Sequence, residues 1–238
     1  HARVLAGDDV RRRKRLQRPH RDVAEIADRR RHQVKRRRER AGVSLFLVDA
    51  ATAGIVRRDY PTVDGYLASE LYFENAKLPG EALLGGEGQA LPLVEKLIDH
   101  ATVATCAEAT GAMQRLHELT LDYARQRKQF GRAIGEFQVI QHRLVDMLME
   151  AEQAQSMTLM ATLRLGEPER AKWVSQAKAK INKGARLLGQ WAVQTHGGIG
   201  ITDELAAGHY FKRLSMIETR FGDLDFHLAR LEQELQAA

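Results

Sequence analysis

The sequence has 238 residues, an ordinary hydrophobic content of 44% and a formal net charge of +6, so it is long enough to bury a core. Residues 1–40 carry 16 Lys and Arg against 6 Asp and Glu, which leaves 21 basic and 25 acidic residues, a net charge of −4, for the rest. The pattern predicts neither a membrane span nor a secretory signal, and the single cysteine, Cys106, excludes an internal disulfide and favours a reducing cytoplasm.

The basic segment, residues 1–42, contains Arg-rich clusters at 11–15, 29–31 and 35–38 with almost no apolar periodicity between them. Such a segment cannot bury enough apolar surface to offset its ordering entropy, so disorder or weak helix is predicted. Three interpretations stay open. The segment is an arm that binds nucleic acid or another anionic surface, a solvated extension without function, or a coding sequence read in the wrong frame.

From residue 43 the residue pattern changes to short apolar runs separated by turn signals. Residues 43–48 predict a buried strand, and residues 55–56 and 71–73 predict two more. Turn signals stand at 64–65 (Asp-Gly) and 79–80 (Pro-Gly). These strands are too few to make a sheet that is stable alone.

From about residue 91 the apolar periodicity is helical almost to the end. Long helices are predicted over about 91–126 and 167–195, with another opening at Gly135, and shorter ones over 204–217 and 224–234. Small residues of the first helix favour close helix packing: Ala101, Ala104, Ala107, Ala109, Gly111 and Ala112. One face of the helix opening at Gly135 is apolar: Phe137, Ile140, Leu144, Met147, Ala151 and Ala154.

Three segments set within these helices carry a family resemblance. They are 125–131 (Arg-Gln-Arg-Lys-Gln-Phe-Gly), 137–142 (Phe-Gln-Val-Ile-Gln-His) and 194–200 (Gln-Thr-His-Gly-Gly-Ile-Gly). By their order and spacing the chain resembles the acyl-CoA dehydrogenase family over roughly residues 43–235, and 208–214 (Gly-His-Tyr-Phe-Lys-Arg-Leu) resembles the pimeloyl-CoA dehydrogenase small subunit type. The resemblance implies a mainly α fold: an antiparallel bundle of the C-terminal type over 91–238, preceded at 43–90 by a few strands of a truncated β-domain.

By the same resemblance, FAD is the cofactor and Arg127 reaches its diphosphate, on a flavin held mainly by a neighbouring subunit. A guanidinium suits this role because its forked donors match phosphate oxygens. Phe130 matches an apolar contact and Gln138 an amide hydrogen bond to the same cofactor. Taken singly, the three also suit a solvated arginine near a helix end, a core aromatic and a surface amide.

The glycine segment, by resemblance, lies against the adenosine half of FAD, with Gln194 bonding the nucleotide and Gly197, Gly198 and Gly200 allowing close approach. Its own chemistry also predicts a helix cap, because glycine adopts positive φ where a helix ends. The segment is not a Rossmann fingerprint, since it follows a helix rather than a strand.

The family removes the α-proton of an acyl-CoA thioester with a glutamate, at either of two positions. These positions match Gly222 and Ala101 here, so neither holds a carboxylate. Asp223, displaced by one residue, is the predicted substitute base, although an aspartate in a first helical turn is also favoured by the helix dipole. Three further carboxylates lie near the two positions: Asp225, Asp99 and Glu108.

The predicted function is flavin-dependent α,β-dehydrogenation of an acyl-CoA thioester by a truncated chain, with electrons leaving to an electron-transfer flavoprotein. One alternative is a non-catalytic helical subunit that completes a partner's FAD site, in a homo- or hetero-oligomer with another acyl-CoA dehydrogenase subunit. Another is a nucleic-acid binder acting through residues 1–42, disfavoured because that segment lacks interleaved aromatics. No histidine spacing predicts a metal site.

Overall fold

The computed structural model describes residues 20–21 and 42–236. The chain divides into two compact units, residues 1–96 and 97–238, so the division falls within the first turns of its longest helix. Apart from residues 20–21 and 42, the basic segment lies outside the described residues, and so does the prediction of disorder made for it.

The first unit contains short strands that pair two by two and antiparallel. β1 pairs with β5, β2 with β6, and β3 with β4 in a hairpin whose register sets Ile55 opposite Phe73. Their bounds are β1 His20–Arg21, β2 Leu45–Phe46, β3 Ile55–Pro61, β4 Leu67–Phe73, β5 Leu78–Pro79 and β6 Leu83–Leu84.

Two sequence predictions for this unit have different outcomes. The turn signal at 64–65 closes the β3–β4 hairpin, where Gly65 has a φ of 81° and donates its N–H to the Thr62 carbonyl at 3.0 Å. The buried strand predicted over 43–48 is wrong in extent, since only Leu45–Phe46 is a strand and both residues are half-buried. Its strand partner in the described part of the chain, β6, is itself only two residues long, which limits the ladder to two pairs.

The second unit is mainly helical, which confirms the predicted fold class. Residues 164–169 form turns rather than helix, so the third helix begins three residues later than predicted. The helices are α1 Leu91–Gln126, α2 Gln138–Leu163, α3 Arg170–His196, α4 Ala206–Thr219 and α5 Leu224–Gln236. A short hairpin, β7 Lys128–Gln129 and β8 Arg132–Ala133, lies between α1 and α2.

The core of the bundle lies around α3, which packs against α2, α4 and α5. The predicted apolar face of α2 is confirmed, because Leu144, Met147, Ala151 and Ala154 are buried. The small-residue prediction for α1 is right only in part: Ala109 and Ala112 are buried, whereas Ala104, Ala107 and Gly111 are exposed because helical periodicity turns them to the opposite side. The largest buried apolar side chains are Met113, Leu116, Met147, Ile181, Leu188, Leu214 and Ile217.

Antiparallel packing gathers chain segments at two ends of the bundle. At the hairpin end, defined as residues 123–138 and 194–202, α1 and α3 finish and α2 begins. At the ion-pair end, defined as Asp99, residues 170–178 and 217–230, α3 begins, α4 finishes and α5 begins. At 1.5 Å per residue, the stretch of α3 from residue 178 to 196 separates the two ends by about 27 Å. In the described residues, no helix is long and apolar enough to cross a membrane.

Candidate functional site

The hairpin after α1 is built around a two-residue turn, Phe130-Gly131. Both residues have positive φ, 53° and 80°, the combination that a type I′ turn requires and that suits the twist of two antiparallel strands. Glycine adopts this conformation freely, but a bulky side chain rarely does. The fold therefore holds Phe130 in a conformation that costs energy, about 1–3 kcal/mol for such strain.

The ring of Phe130 lies at the tip of this hairpin and is 92% exposed. It meets Phe137 edge-on, with 6.2 Å between ring centroids, and the Arg132 guanidinium lies 4.0 Å above the Phe137 ring. Nothing in this arrangement removes Phe130 from water. An exposed, strained aromatic suits a contact with another molecule better than it suits the core aromatic considered from sequence.

Arg127 lies at the base of the hairpin, directly after α1. Its N–H donates to the Tyr123 carbonyl at 2.8 Å, and its carbonyl accepts from the N–H of Ile134 at 2.8 Å, so the backbone is fixed from both sides. The side chain is exposed, and no carboxylate in the described part of the chain forms an ion pair with it. By contrast, Arg125, two residues earlier in the chain, forms an ion pair with Asp122 at 3.7 Å.

The start of α2 adds Gln138 to the same surface. Gln138 is the first residue of the helix and is exposed, and the preceding N-cap residue, Phe137, gives the helix no side-chain cap. A helix N-terminus without a cap presents N–H groups that favour an anion. Gln138 and Arg127 thus flank one hairpin, which the sequence analysis did not predict.

The glycine segment follows α3 on the same end of the bundle. Gly197 caps the helix with a φ of 68° and donates its N–H to the Val193 carbonyl, which confirms the predicted helix cap. Gly200 is buried, and a Cβ there would lie 2.9 Å from the Val193 carbonyl oxygen. Gly198 is exposed with open space around it, and Gln194 in the last turn of α3 is also exposed. Close internal packing therefore accounts for Gly200, whereas Gly198 leaves backbone open to solvent.

Two side chains that the sequence did not single out join the hairpin to the glycine segment. Tyr123 stacks against His196 with ring centroids 4.5 Å apart, and its hydroxyl donates to the His196 carbonyl at 3.3 Å. Burial lowers the pKa of His196, so the imidazole is uncharged at neutral pH. The sequence offers no signal for this pair, because 73 residues separate the partners and only the bundle brings them together.

The two positions that match the family's glutamates lie far from this surface, at or near the ion-pair end. Gly222 has a φ of 114°, and a Cβ added there would lie 2.3 Å from the Phe226 ring and 2.9 Å from His227 Nε2. A side chain at this position would have to displace the Phe226 ring and would adopt a strained φ. Ala101 is half-buried on α1, where its carbonyl accepts a hydrogen bond from the Thr105 hydroxyl at 2.8 Å.

Asp223 occupies the N-cap position of α5. Its Oδ1 accepts a hydrogen bond from the backbone N–H of Phe226 at 2.9 Å, the usual contact between a capping aspartate and the third helical residue. The side chain is exposed to solvent. Asp225 lies exposed in the first turn of α5, where the helix dipole favours negative charge.

The other two carboxylates weighed from sequence are held by arginines. Asp99 is only 1% exposed and accepts from Arg170 Nε at 2.8 Å and from both terminal nitrogens of Arg230 at 2.7 and 3.2 Å. Glu108 accepts a forked pair from Arg213 at 2.6 and 2.8 Å. These contacts tie α1 to α3, α4 and α5, so they account for both residues structurally.

A buried polar cluster lies behind the Gly222 loop. Lys178 donates to Asn182 Oδ1 at 2.7 Å and to the Ile217 carbonyl at 2.6 Å, which caps the end of α4 with a cation. Burial lowers the pKa of Lys178 to about 8, and burial raises the pKa of the Cys106 thiol to about 12. His227 Nδ1 lies 3.1 Å from the Ser175 hydroxyl, and burial, followed by the charge of Lys178, lowers the pKa of His227 to about 4.

Comparison with known proteins matches this architecture to one family. The family described as "Acyl-CoA dehydrogenase, C-terminal domain" matches residues 88–236. The relative named "Probable acyl-CoA dehydrogenase FadE25" of Mycobacterium tuberculosis is 31% identical over 177 residues, which are 72% of this chain and 45% of the relative. The chain thus spans about half the length of the curated relatives it matches.

Solved structures of acyl-CoA dehydrogenases and related proteins also match the fold of this chain. The ChsE4–ChsE5 complex from Mycobacterium tuberculosis matches with a TM-score of 0.76 and 25% identity, covering 82% of this chain and 52% of that chain. The structure described as PigA with FAD and proline matches with a TM-score of 0.77 and 26% identity, covering 84% and 53%. The chain therefore belongs to the acyl-CoA dehydrogenase family.

Proposed function

We propose that this chain acts in flavin-dependent α,β-dehydrogenation of an acyl-CoA thioester, as a helical subunit that completes the FAD site of a partner subunit. The observation that carries the proposal is the β7–β8 hairpin, where Arg127 has no ion-pair partner among the described residues and Phe130 is strained and 92% exposed. The structure of the relative PigA contains FAD.

The residues at the hairpin end suit a flavin dinucleotide chemically. The Arg127 guanidinium would bond the diphosphate, Phe130 would pack on apolar parts of the cofactor, and Gln138 would donate an amide hydrogen bond. Gln194 would bond the adenosine half, with the exposed backbone of Gly198 allowing close approach. When bound, FAD supplies the acceptor for the hydride that leaves the acyl β-carbon.

The partner would be a second subunit of the same family, in a homo- or hetero-oligomer. Support comes from the relatives ChsE4 and ChsE5, which form a complex. Acyl-CoA as substrate, an electron-transfer flavoprotein as acceptor, the pimeloyl-CoA small subunit type and a cytoplasmic location belong to this proposal as predictions. The nucleic-acid alternative depends on residues 1–42, which are almost entirely outside the described residues.

The ion-pair end supports the non-catalytic version of this function over the catalytic one. A side chain at Gly222 would clash with the Phe226 ring, and Asp99 accepts hydrogen bonds from two arginines. Outside this end, Glu108 accepts from Arg213. Asp223 stays the proposed substitute base, although its contact with the Phe226 N–H already gives it a capping role.

The chain alone is expected to be colourless and inactive toward acyl-CoA. Mixed with a full-length homologous subunit, it should increase FAD retention after gel filtration. The substitution Arg127→Ala should weaken FAD binding by about 1.5–3 kcal/mol, the usual contribution of a hydrogen bond to a charged group. Arg125→Ala is the matched control, since it removes the same charge from an exposed neighbour. Equal flavin loss in both variants, or none in either, contradicts the proposal.

Asp223→Asn tests the catalytic version separately, because asparagine is also a good N-cap and leaves α5 intact. A displaced base predicts that turnover of the mixture falls by about a hundredfold or more. A non-catalytic subunit predicts unchanged turnover. Flavin retention should be the same in both cases.

A further inference from the structure

Tyr123, in the last turn of α1, contacts both segments that we assign to the cofactor. Its backbone carbonyl accepts a hydrogen bond from the N–H of Arg127 at 2.8 Å, at the base of the β7–β8 hairpin. Its ring stacks on His196, with 4.5 Å between ring centroids and 32° between ring planes. Its hydroxyl donates to the carbonyl oxygen of His196 at 3.3 Å, within the glycine segment. One residue thus joins two segments that are distant in the sequence.

The contacts of Tyr123 are the direct link between these segments. In the part of the chain that the structure describes, no other hydrogen bond or ring contact connects residues 123–138 with the glycine segment, residues 194–200. The hairpin is otherwise bonded to α1 and α2, and the glycine segment to α3. The relative position of the two segments therefore depends on Tyr123 and on the packing of the helices.

The His196 end of this link is fixed within its own helix. The residue is only 4% exposed, and its Nδ1 lies 2.8 Å from the Ala192 carbonyl oxygen. Because a carbonyl can only accept, Nδ1 carries a proton and donates it, which sets the orientation of the ring. Burial lowers the pKa of His196, so the imidazole is uncharged at neutral pH and stacks on Tyr123 as a neutral aromatic ring.

The Arg127 end of this link is carried by the backbone. Arg127 lies one helical turn after Tyr123, and its own carbonyl accepts from the Ile134 N–H at 2.8 Å. A displacement of Tyr123 would therefore move Arg127 and the base of the hairpin with it. Fixed spacing matters for a ligand that is held at two points, because two points that move independently must be ordered on binding, which lowers affinity.

We propose that Tyr123 is a positioning residue that holds Arg127 and the glycine segment at the spacing required by one dinucleotide. The proposal rests on the proposed function, because it assumes that both segments bind the same FAD. Tyr123 itself needs no contact with the cofactor, since it acts through Arg127 and His196. Its loss should therefore weaken the contributions of Arg127 and Gln194 together, although these two residues lie at the ends of different helices.

Hydrogen exchange of the chain alone tests the link without a cofactor. Tyr123→Leu should accelerate exchange of the Gly197 and Thr202 amides by roughly two- to tenfold, the usual effect of losing a stacked aromatic pair. Both amides donate to backbone carbonyls within residues 193–199. Trp173→Leu is the matched control, because it removes a half-buried aromatic ring at the ion-pair end of the bundle. Equal acceleration in both variants, or none in Tyr123→Leu, overturns the proposal.

Flavin retention in the mixture with a full-length homologous subunit tests the function of the link. The apparent FAD dissociation constant should rise by roughly threefold or more in Tyr123→Leu, and Tyr123→Phe, which keeps the stacked ring, should recover most of the loss. The effect of Tyr123→Leu should shrink when Arg127→Ala or Gln194→Ala is already present, because residues that act through one contact are not additive. Arg125→Ala is the control and should leave the effect of Tyr123→Leu unchanged.

The outcomes of these cycles separate this proposal from the one on which it rests. If Tyr123→Leu adds independently to both Arg127→Ala and Gln194→Ala, the tyrosine only stabilises the bundle and the proposal is overturned. Coupling to one of the two residues and not to the other overturns it as well, since the link must act on both segments. A mixture that retains no flavin even with the original chain contradicts the proposed function, and this proposal with it.

Discussion

The two ends of the bundle use their polar and aromatic residues in opposite ways. At the ion-pair end, Asp99 accepts from two arginines, and Lys178 donates to Asn182 Oδ1 and to the Ile217 carbonyl oxygen. At the hairpin end, Arg127 has no ion pair within the described residues, and Phe130 is strained and exposed. Polar groups at the ion-pair end stabilise the fold, whereas Arg127 and Phe130 at the hairpin end are exposed to solvent.

This difference bears on where activity can reside. By the family resemblance, Gly222 and Ala101 match the two glutamate positions, and a side chain at Gly222 would clash with the Phe226 ring. The residues that we propose for the cofactor lie at the other end, about 27 Å away along α3. A chain of this kind is expected to contribute binding energy to a shared site rather than proton abstraction.

The largest predicted effect comes from breaking the ion-pair end. Asp99→Ala should lower the free energy of unfolding by about 3–5 kcal/mol, because it leaves Arg170 and Arg230 facing each other without a counter-charge in a largely buried site. Urea unfolding followed by circular dichroism measures this loss. Asp122→Ala is the matched control: its pair with Arg125 is more than half exposed and should contribute about 0–1 kcal/mol. Similar losses in the two variants would contradict the comparison.

A smaller effect on the free energy of unfolding is predicted when the pH is lowered. Burial and the nearby charges of Lys178 and Arg230 lower the pKa of His227 from 6.5 to about 4, so the folded state binds this proton less readily than the unfolded state. Stability is then fully present above pH 6.5 and falls as the pH drops toward about 4, by up to roughly 3 kcal/mol.

The measurement is the urea midpoint at several pH values in that window, for the original chain and for His227→Gln. The variant should be less stable at neutral pH but lose less stability on acidification. His100→Gln, at an exposed position of α1, serves as control and should keep the acid sensitivity of the original chain. Parallel pH profiles for the original chain and His227→Gln would show that this imidazole is not the cause.

The smallest effect on stability is predicted at the hairpin end, and its sign is opposite. Phe130→Asn should raise the free energy of unfolding by about 1 kcal/mol, because asparagine tolerates positive φ far better than phenylalanine. The same change should weaken FAD retention in a mixed complex, since the ring is lost. Phe130→Ala also loses the ring but keeps the strain, so it should weaken retention without the gain in stability. A large loss of stability in Phe130→Asn would mean that the ring is needed for the fold.

The helical periodicity in the sequence was sufficient to predict the bundle and the buried face of α2. Leu144, Met147, Ala151 and Ala154 recur at helical spacing, and local spacing alone decides which residues share a face. The helix cap at Gly197 was also predictable from local sequence, since positive φ at a helix end favours glycine. The length of the strand at Leu45–Phe46 was overestimated from sequence. Strand length depends on the pairing partner, which the apolar run does not specify.

The sequence by itself determined the family, the helical fold and the absence of a carboxylate at Gly222 and Ala101, because motif order, periodicity and residue identity are properties of the chain alone. Only the tertiary structure decided that Asp99 and Glu108 are held by arginines 71 to 131 residues away and that a side chain at Gly222 would clash with the Phe226 ring. It also decided that Tyr123 joins the hairpin to the glycine segment. These outcomes depend on which side chains meet across the bundle, and helix packing fixes such contacts where local sequence does not.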